Sequence, residues 1–248
     1  MNKSSRLTSE PEKSLLRVRK LSVSYGKATA VREVDLEVNE RRIVALIGSN
    51  GAGKTTILRT ISGLKKAASG KIWFGATEIT NMAPQEIVQI GIAHVPEGSQ
   101  VFREMTVMDN LVIGAYLRRD KKFIKEDLAV MFEHFKVLRE RRRQKAGTLS
   151  GGERQMLAVA RAYMAAPKLM LMDEPSLGLS PIVALEIASI IQMISERGIS
   201  IILVEQNAQI ALSLSNYGYV LETGKITLEG TPSSLKSNEN VKRAYLGI

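Results

Sequence analysis

The feature that most constrains this chain of 248 residues is a buried strand that runs directly into a glycine-rich loop and a helix. The run RIVALI is apolar after its first residue, as expected of a strand covered on both faces. It is followed by GSNGAGKTT, residues 48–56, and by the helical pattern TTILRTIS. The loop matches the pattern G-x-x-x-x-G-K-[ST] in the strand–loop–helix context that phosphate binding requires. We therefore expect an α/β protein that binds a nucleotide.

Each residue type in this loop has a physical task at a phosphate group. Glycines let successive backbone N–H groups turn toward phosphate oxygens, and the start of the helix adds a partial positive charge. Lys54 is expected to hold the β- and γ-phosphates, the Thr55 hydroxyl to ligate Mg²⁺, and Thr56 to reach the α-phosphate. The predicted binding loop comprises Gly48, Ser49, Asn50, Gly51, Ala52, Gly53, Lys54, Thr55 and Thr56.

A pair of acidic residues ends a second buried run, KLMLMDE. Asp173 stands at the carboxyl end of this predicted strand, where open α/β sheets bind ligands, and is expected to hold Mg²⁺ through water. Glu174 can orient and deprotonate an attacking water, and such general-base help contributes on the order of 10²–10⁴ in rate. The alternative is an ordinary acidic pair between a strand and a loop. The phosphate loop upstream favours the catalytic interpretation.

Strands and helices alternate along the rest of the chain. The segments LRVRKLSVSY and REVDLEVN are typical of half-buried strands, KIWFGATEI of a strand with a turn, ISIILVE of a buried strand, and GYVLETGKITLEGT of a hairpin turning at residues 223–225. A helix, PIVALEIASIIQMISER, precedes ISIILVE. We expect a doubly wound, mostly parallel sheet, an antiparallel β subdomain, and a helical subdomain at about residues 97–150. Residues 1–14 are expected to be a disordered tail, and residues 15–248 to form the domain.

A second candidate anion site lies in LSGGE, at the head of the helical pattern ERQMLAVARAYMAA. Ser150 offers a hydroxyl, and Gly151 and Gly152 offer unobstructed N–H groups at a helix start. Ser150 and Glu153 also form a Ser-x-x-Glu capping box, which needs no ligand. The chain thus carries two helix starts suited to phosphate, about a hundred residues apart, but only one complete nucleotide site.

Composition limits the surroundings in which such a protein works. The chain has no cysteine, so it has neither disulfides nor a thiolate metal site, and its first residues lack the apolar segment of a secretory signal. No apolar run approaches the roughly 20 residues of a membrane span. The net charge is +10, and residues 117–145 hold eleven Lys/Arg against five acids, a net +6. This excess fits a solvated helical face, anionic lipid or nucleic acid, of which the last is least favoured because aromatics are only 5% of the chain.

The combination of GSNGAGKTT, LSGGE and LMLMDE, in this order, resembles the ATP-binding subunits of ABC transporters over about residues 15–248. In that family two cassettes pair head to tail, and the signature of one closes on the γ-phosphate bound by the other. The resemblance implies that the ligands are ATP and Mg²⁺, and that Ser150, Gly151 and Gly152 contact the ATP of a neighbouring cassette.

Other positions match family motifs or depart from them. Tyr25 matches the aromatic that stacks on adenine, with a core aromatic as the alternative. Glu97 stands where a Mg²⁺-sensing glutamine is usual, and its carboxylate can also ligate Mg²⁺, with a solvated loop acid as the alternative. Gln206 replaces the usual histidine; its amide can position the γ-phosphate but cannot take up a proton. Leu179 stands where the interface loop often carries aspartate. The implied catalytic residues are Glu174, Lys54 and Gln206.

Several segments narrow the resemblance to ATPase subunits of branched-chain amino-acid uptake: VPEGSQVF, LSGGERQML, DEPSLGLSP, VEQNA and the ending AYLGI. The resemblance implies a peripheral protein on the cytoplasmic face of a bacterial or archaeal membrane. Its expected partners are two permease subunits, a second, non-identical cassette and an extracytoplasmic solute-binding protein, without nucleic acid.

Related systems supply the alternatives. ATPases of urea uptake and lipopolysaccharide export are close to the same pattern. ABC ATPases that act on nucleic acid are less favoured, because the gap from Lys54 to Ser150 is too short for a long coiled-coil insertion. A phosphate-loop kinase would leave LSGGE unexplained.

Overall fold

Three continuous apolar runs form the centre of a six-stranded sheet in the computed structural model, which describes residues 13–246. These strands are buried at every position and pair in parallel: β3 (Ile43–Ile47), β7 (Leu169–Asp173) and β8 (Ser200–Glu205). β8 lies between β3 and β7, with Ala45 opposite Leu203 and Met170 opposite Ile201. Because all three strands run the same way, their carboxyl ends meet at one edge of the sheet, as the apolar runs predict.

The sheet is completed by a short strand on one side and a hairpin on the other. The additional strands are β6 (Ile92–Val95), β9 (Tyr217–Glu222) and β10 (Lys225–Gly230), in the overall order β10-β9-β3-β8-β7-β6. The predicted hairpin is confirmed, with Thr223 and Gly224 turning at φ of 47° and 80°. β6 was not predicted, because four residues that include His94 give too short a pattern.

A four-stranded antiparallel sheet packs beside the first one. Its strands follow the order β2-β1-β4-β5 and comprise β1 (Ser14–Tyr25), β2 (Ala28–Asn39), β4 (Ser69–Phe74) and β5 (Thr77–Glu78). The inward-facing residues of β1 and β2 share one apolar cluster with the first helix and the central strands. The expected antiparallel β subdomain is therefore present. Of the expected tail, residues 1–14, the first twelve lie outside the described residues. The strand β1 begins at Ser14.

The described part of the chain also contains ten helices, of which the first eight lie between strands and the last two follow β10: α1 (Lys54–Ile61), α2 (Pro84–Gln89), α3 (Val107–Gly114), α4 (Lys121–His134), α5 (Lys136–Glu140), α6 (Gly151–Tyr163), α7 (Pro181–Glu196), α8 (Ala208–Leu214), α9 (Pro232–Ser237) and α10 (Glu239–Val241). A 3-10 turn covers Ala146–Thr148, and a π-helical turn covers Lys242–Leu246. α6 and α7 share an apolar cluster with one face of the sheet, and α1 shares another cluster with other strand residues. Across residues 13–246, no helix combines the length and hydrophobicity that crossing a bilayer requires.

The helical subdomain expected at about residues 97–150 contains α3, α4 and α5. Its two ends are tied together by a bridge between Thr106 and Lys145 and by a hydrogen bond from the Gly147 N–H to the Arg103 carbonyl, 2.9 Å. Its apolar side chains, including the fully buried Phe135, belong to the same cluster as α6 and the central sheet. We infer that the subdomain shares its core with the sheet.

The packing of Phe135 gives a test of this shared core. Truncation of a fully buried phenylalanine removes apolar contacts and leaves a cavity, so Phe135→Ala should lower the free energy of unfolding by about 3–5 kcal/mol. The matched control is Phe123→Ala, because Phe123 lies on α4 and is 56% exposed; we expect a change within about 0.5 kcal/mol. Urea denaturation of both variants measures the difference. Equal effects would contradict the assigned burial.

Candidate functional site

The glycine-rich loop closes around the amino group of its own lysine. The Lys54 side chain is 4% exposed, and its Nζ donates to the carbonyl oxygens of Gly48 at 2.9 Å and Ser49 at 3.2 Å. The same Nζ lies 3.4 Å from Glu174 Oε1. A buried ammonium group is stable only with such partners. The loop therefore presents a desolvated cation at the carboxyl edge of the sheet.

The backbone of this loop is tight on one side and open on the other. A Cβ at Gly48 would lie 2.2 Å from the Leu221 carbonyl oxygen, and a Cβ at Gly53 would lie 2.7 Å from that of Ala30. Gly53 also has a φ of 110°, which L side chains rarely adopt. In contrast, a Cβ at Gly51 would meet nothing within 4 Å. The loop thus leans against β2 and β9 and leaves an open concave side of the kind that holds phosphate.

The acidic pair lies directly opposite this loop. The Thr55 hydroxyl donates to Asp173 Oδ1 at 3.1 Å, which joins the start of α1 to the end of β7. Burial of Asp173 raises its pKa to about 6, with further raising by the charges of Glu174 and Glu97 and lowering by Thr55 and Lys54. The structure therefore brings these five predicted site residues into one cluster.

The main chain at Glu174 has an uncommon conformation. Its φ is 47°, and its N–H donates to the Val204 carbonyl of β8 at 2.9 Å. A non-glycine residue at positive φ is held by its surroundings at some cost in energy, a feature common at functional sites. Here the turn sends the carboxylate back toward Lys54 instead of continuing the line of β7.

The donor set of the cluster fits Mg²⁺. Thr55 and Asp173 supply oxygen donors, and the exposed Glu97 lies close enough for its charge to act on Asp173. Mg²⁺ prefers oxygen ligands and usually takes one or two carboxylates, completing its shell with water and substrate phosphates. Within residues 13–246 no three His, Cys, Asp or Glu side chains converge as a metal cage.

Sequence reasoning missed the role of Glu205, the last residue of β8. Its side chain is buried, and Oε1 accepts a hydrogen bond from the Ser176 N–H at 3.0 Å. Burial raises the pKa of Glu205, opposed by the hydrogen bonds from Ser176. The contact fixes the loop of residues 175–179 against the strand end. No sequence pattern marks this contact, because a glutamate at a strand end is usually solvated.

The predicted residues Gln206 and Leu179 both line an open cleft of about 780 Å³. Gln206 is exposed and follows Glu205 directly, so it lies at the carboxyl edge of the sheet, as expected. The cleft continues along the start of α7 to Ile210 and Tyr245. The loop at Leu179 thus faces solvent across this cleft.

The LSGGE segment occupies a different place. Ser150 caps α6: its Oγ accepts from the Glu153 N–H at 3.3 Å, and Glu153 Oε2 accepts from the Ser150 N–H at 2.8 Å. A Cβ at Gly152 would meet the Val183 side chain of α7, whereas Gly151 is open. Among the described residues, no hydrogen bond or ion pair joins this segment to Lys54 or Glu174. The capping box and an anion site use different atoms, so the first does not exclude the second.

Tyr25 ends β1 and is 45% exposed, so it is not a core aromatic. The Lys65 ammonium lies 4.1 Å from the centre of its ring. A cation over one face leaves an aromatic platform at the surface. The Tyr25 ring is therefore accessible, as the predicted stacking on adenine requires.

A wide apolar groove of about 850 Å³, which sequence reasoning did not find, separates the helical subdomain from α2 and β6. Along it the structure leaves buried polar atoms without a hydrogen-bond partner: both ring nitrogens of His94 and Nη1 of Arg161. Burial, with the charge of Arg59, lowers the pKa of His94 to about 4. The groove is lined by residues from distant segments, among them Val88, His94, Phe102, Ile113, Tyr116 and Arg161.

The buried Glu205 predicts a specific pH dependence of stability. Its pKa is raised above the ordinary 4.5, so the folded state binds this proton more tightly than the unfolded state. The free energy of unfolding then falls as pH rises from about 4.5 through the raised pKa. Glu205→Gln keeps an oxygen acceptor for Ser176 and should remove that fall, so its stability advantage over the parent grows with pH. Chemical denaturation from pH 4 to 8, with exposed Glu133→Gln as control, measures this. An identical pH dependence in parent and Glu205→Gln would contradict the assignment.

Comparison with known proteins places this site in a family. The ABC transporter family profile matches residues 31–177. The chain is 46% identical over 228 residues to the high-affinity branched-chain amino acid transport ATP-binding protein BraG of Pseudomonas aeruginosa, covering 92% of this chain and 97% of that protein. It is 37% identical to the probable branched-chain amino acid transport ATP-binding protein LivF of Archaeoglobus fulgidus (94% and 99% covered).

Further comparisons extend the similarity to a lipopolysaccharide export protein and to a solved structure. Identity is 35% to the lipopolysaccharide export system ATP-binding protein LptB of Haemophilus influenzae, covering 94% and 98% of the two chains. Among solved structures, the ADP conformation of MJ1267, an ATP-binding cassette of an ABC transporter, superimposes with a TM-score of 0.80 at 29% identity, covering 95% of this chain and 99% of that one. The family profile, the sequence identities and the shared fold show that the chain belongs to the ABC transporter family and is an ATP-binding cassette ATPase.

Proposed function

We propose that this ATPase drives an importer of branched-chain amino acids through partner permease subunits on the cytoplasmic face of a bacterial or archaeal membrane. The observation that carries the proposal is the pairing of a phosphate loop with an LSGGE segment that does not reach it in the same chain. Greater identity to the amino-acid transport ATPases than to LptB supports amino acids over lipopolysaccharide as the transported class. Urea uptake is the alternative that shares the same nucleotide chemistry.

Hydrolysis follows from the positions of the clustered side chains. Glu174 accepts a proton from water, whose oxygen forms a bond to the γ-phosphorus while the bond to the β–γ bridging oxygen breaks, giving ADP and inorganic phosphate. Lys54, freed from Gly48 and Ser49, neutralises charge on the β- and γ-phosphates. Gln206 positions the γ-phosphate by hydrogen bonds and takes no proton.

Thr55 and Asp173 are the residues that would hold Mg²⁺, with Glu97 beside them. A bound ion would supply positive charge that offsets the negative charge developing during transfer.

The second half of each ATP site comes from a neighbouring cassette. Ser150, Gly151 and Gly152 start α6, a helix of 13 residues, and Gly151 leaves its N–H side open. Docked against another molecule's γ-phosphate, this helix start adds N–H donors and a partial positive charge. Two copies of the chain can pair in this way in isolation, and a second, non-identical cassette is the proposed partner in the assembled importer.

The apolar groove beside the helical subdomain is the proposed seat of the permease. Its walls carry the half-exposed Val88, Phe102 and Ile113, and such grooves accept an amphipathic helix. Glu97 lies in the segment that connects β6, on the groove wall, to the nucleotide cluster. Closure of two cassettes on ATP would thereby move the permease helices, and a solute-binding protein outside the membrane would deliver the amino acid.

Glu174→Gln separates binding from chemistry. The amide keeps the shape of the side chain but cannot accept a proton, so ATPase activity should fall by about 10²–10⁴ while ATP affinity changes little. ATP with Mg²⁺ should then hold two copies together, measured as a doubled mass by light scattering. Near-parental turnover in this variant would remove Glu174 as the base.

The Glu174→Gln variant also serves to test the role of LSGGE. Adding Ser150→Arg places a long cation where the neighbour's phosphate should dock, so the ATP-dependent dimer should disappear while each monomer still binds ATP. The matched control is Ser233→Arg, which puts the same side chain on an exposed serine of α9, away from LSGGE. A dimer that persists in Ser150→Arg would contradict completion of the site by a neighbour.

A further inference from the structure

Three large apolar side chains stand exposed where α3 turns into α4. Tyr116 is 82% exposed, Leu117 51% and Phe123 56%. Together with the cations among them they form a surface that we call the outer patch, residues 116–125. Large apolar side chains grouped within one exposed segment mark an interaction surface more often than single ones do.

Hydrogen bonds of Arg118 anchor the outer patch to the rest of the protein. Arg118 Nη1 donates to Asp127 Oδ2 at 2.6 Å and to the Met164 carbonyl at 2.9 Å, and its Nη2 donates to Asp120 Oδ2 at 2.8 Å. The side chain of Arg118 is only 9% exposed. This inward anchor fixes the turn to α6, so the neighbouring rings point outward from a defined backbone and need little ordering when they bind.

Cations surround the apolar side chains of the outer patch. Arg119, Lys121 and Lys125 are exposed, and no ion pair involves them among the described residues. Lys122 is 4.0 Å from Glu126, and both side chains are more than half exposed, which leaves that pair weak. The surface therefore combines aromatic rings with an uncompensated positive charge.

We propose that the outer patch docks on the anionic surface of the bilayer beside the permease. Tyrosine and other aromatic rings favour the level of the lipid headgroups, and lysine and arginine are attracted to anionic lipids within a Debye length. Tyr116 and Leu117 also line the groove, so a helix seated there would bring the patch to the membrane. This placement rests on the proposed function. Cytoplasmic permease loops carry excess positive charge, so the basic rim is matched to lipid and not to those loops.

Vesicle binding tests this inference on the full chain alone. We expect the protein to sediment with vesicles of phosphatidylcholine containing about 30% phosphatidylglycerol, but not with pure phosphatidylcholine, and to release as salt rises. Lys121→Glu combined with Lys125→Glu should weaken binding by about tenfold or more, since each basic residue near such a surface contributes about fivefold. Phe123→Ser, at a patch position that does not line the groove, should weaken it as well, with less salt dependence.

The control reverses two cations elsewhere. Lys236→Glu combined with Arg243→Glu changes the net charge equally but lies at α9 and the C-terminal π turn, so binding should stay within about twofold of the parent. If both double variants lost vesicle binding equally, net charge alone would explain the binding and the proposal would be overturned. Absence of binding of the parent to the anionic vesicles would overturn it as well.

Two further readouts separate this inference from the proposed function. The patch variants should keep parental thermal stability, ATPase activity and the ATP-dependent dimer, because they lie outside the nucleotide cluster. If they bind vesicles normally but no longer copurify with the permeases in detergent, the patch is a protein contact and the lipid proposal is wrong. If the Glu174→Gln dimer fails while vesicle binding behaves as described, the motor proposal fails and the lipid proposal stands.

Discussion

The contact between Lys54 and Glu174 joins the two functional halves of the chain. A lysine at the start of α1 and a glutamate after β7 meet at 3.4 Å with side chains that are 4% and 9% exposed. The contact exists because β3, β8 and β7 run parallel, so that their loops emerge at one edge. Buried charges of opposite sign stabilise each other only when both are held in place, and a phosphate-rich substrate offers Lys54 a stronger partner than Glu174 does. When a phosphate replaces Glu174 as the partner of Lys54, the Glu174 carboxylate is free to face water.

Burial also determines the electrostatics of the cluster. Asp173, Glu174 and Glu205 bring three carboxylates to adjacent strand ends, and burial raises the pKa of both Asp173 and Glu205. Such an arrangement stores unfavourable electrostatic energy that a divalent cation and the ordered loop of residues 175–179 can relieve. Through Glu205 and Ser176, the end of β8 also fixes the loop of residues 175–179 beside the acidic pair.

The sequence predicts features whose signal is local. The phosphate loop, the Asp173–Glu174 pair and the hairpin turn depend on spacing within a few residues, and all appear where the patterns place them. The buried runs also predict the central sheet, because strands covered on both faces are apolar at every position. The expected positions of Tyr25, Ser150 and Gln206 can be read from their neighbours in sequence, but their roles toward ATP depend on a second molecule and stay predictions.

The features that the sequence does not reveal depend on contacts between distant segments of the chain. The groove combines Val88, Ile113 and Arg161, which follow no common pattern, and β6 is too short to be recognised. Glu205 gives no sign of its burial, because only the fold places Ser176 above it. The exposure of Tyr116 and Phe123 is equally invisible, since similar side chains nearby, such as Phe135, are fully buried.

The most direct test of the central claim, that LSGGE completes the ATP site of a facing molecule, is disulfide cross-linking. The chain contains no cysteine, so introduced cysteines report unambiguously. One population would carry Asn50→Cys and the other Thr148→Cys, both with Glu174→Gln, and the two would be mixed under mild oxidation. The account predicts a cross-linked heterodimer with ATP and Mg²⁺ and none without nucleotide. Absence of the ATP-dependent product, with both populations still binding ATP, would contradict it.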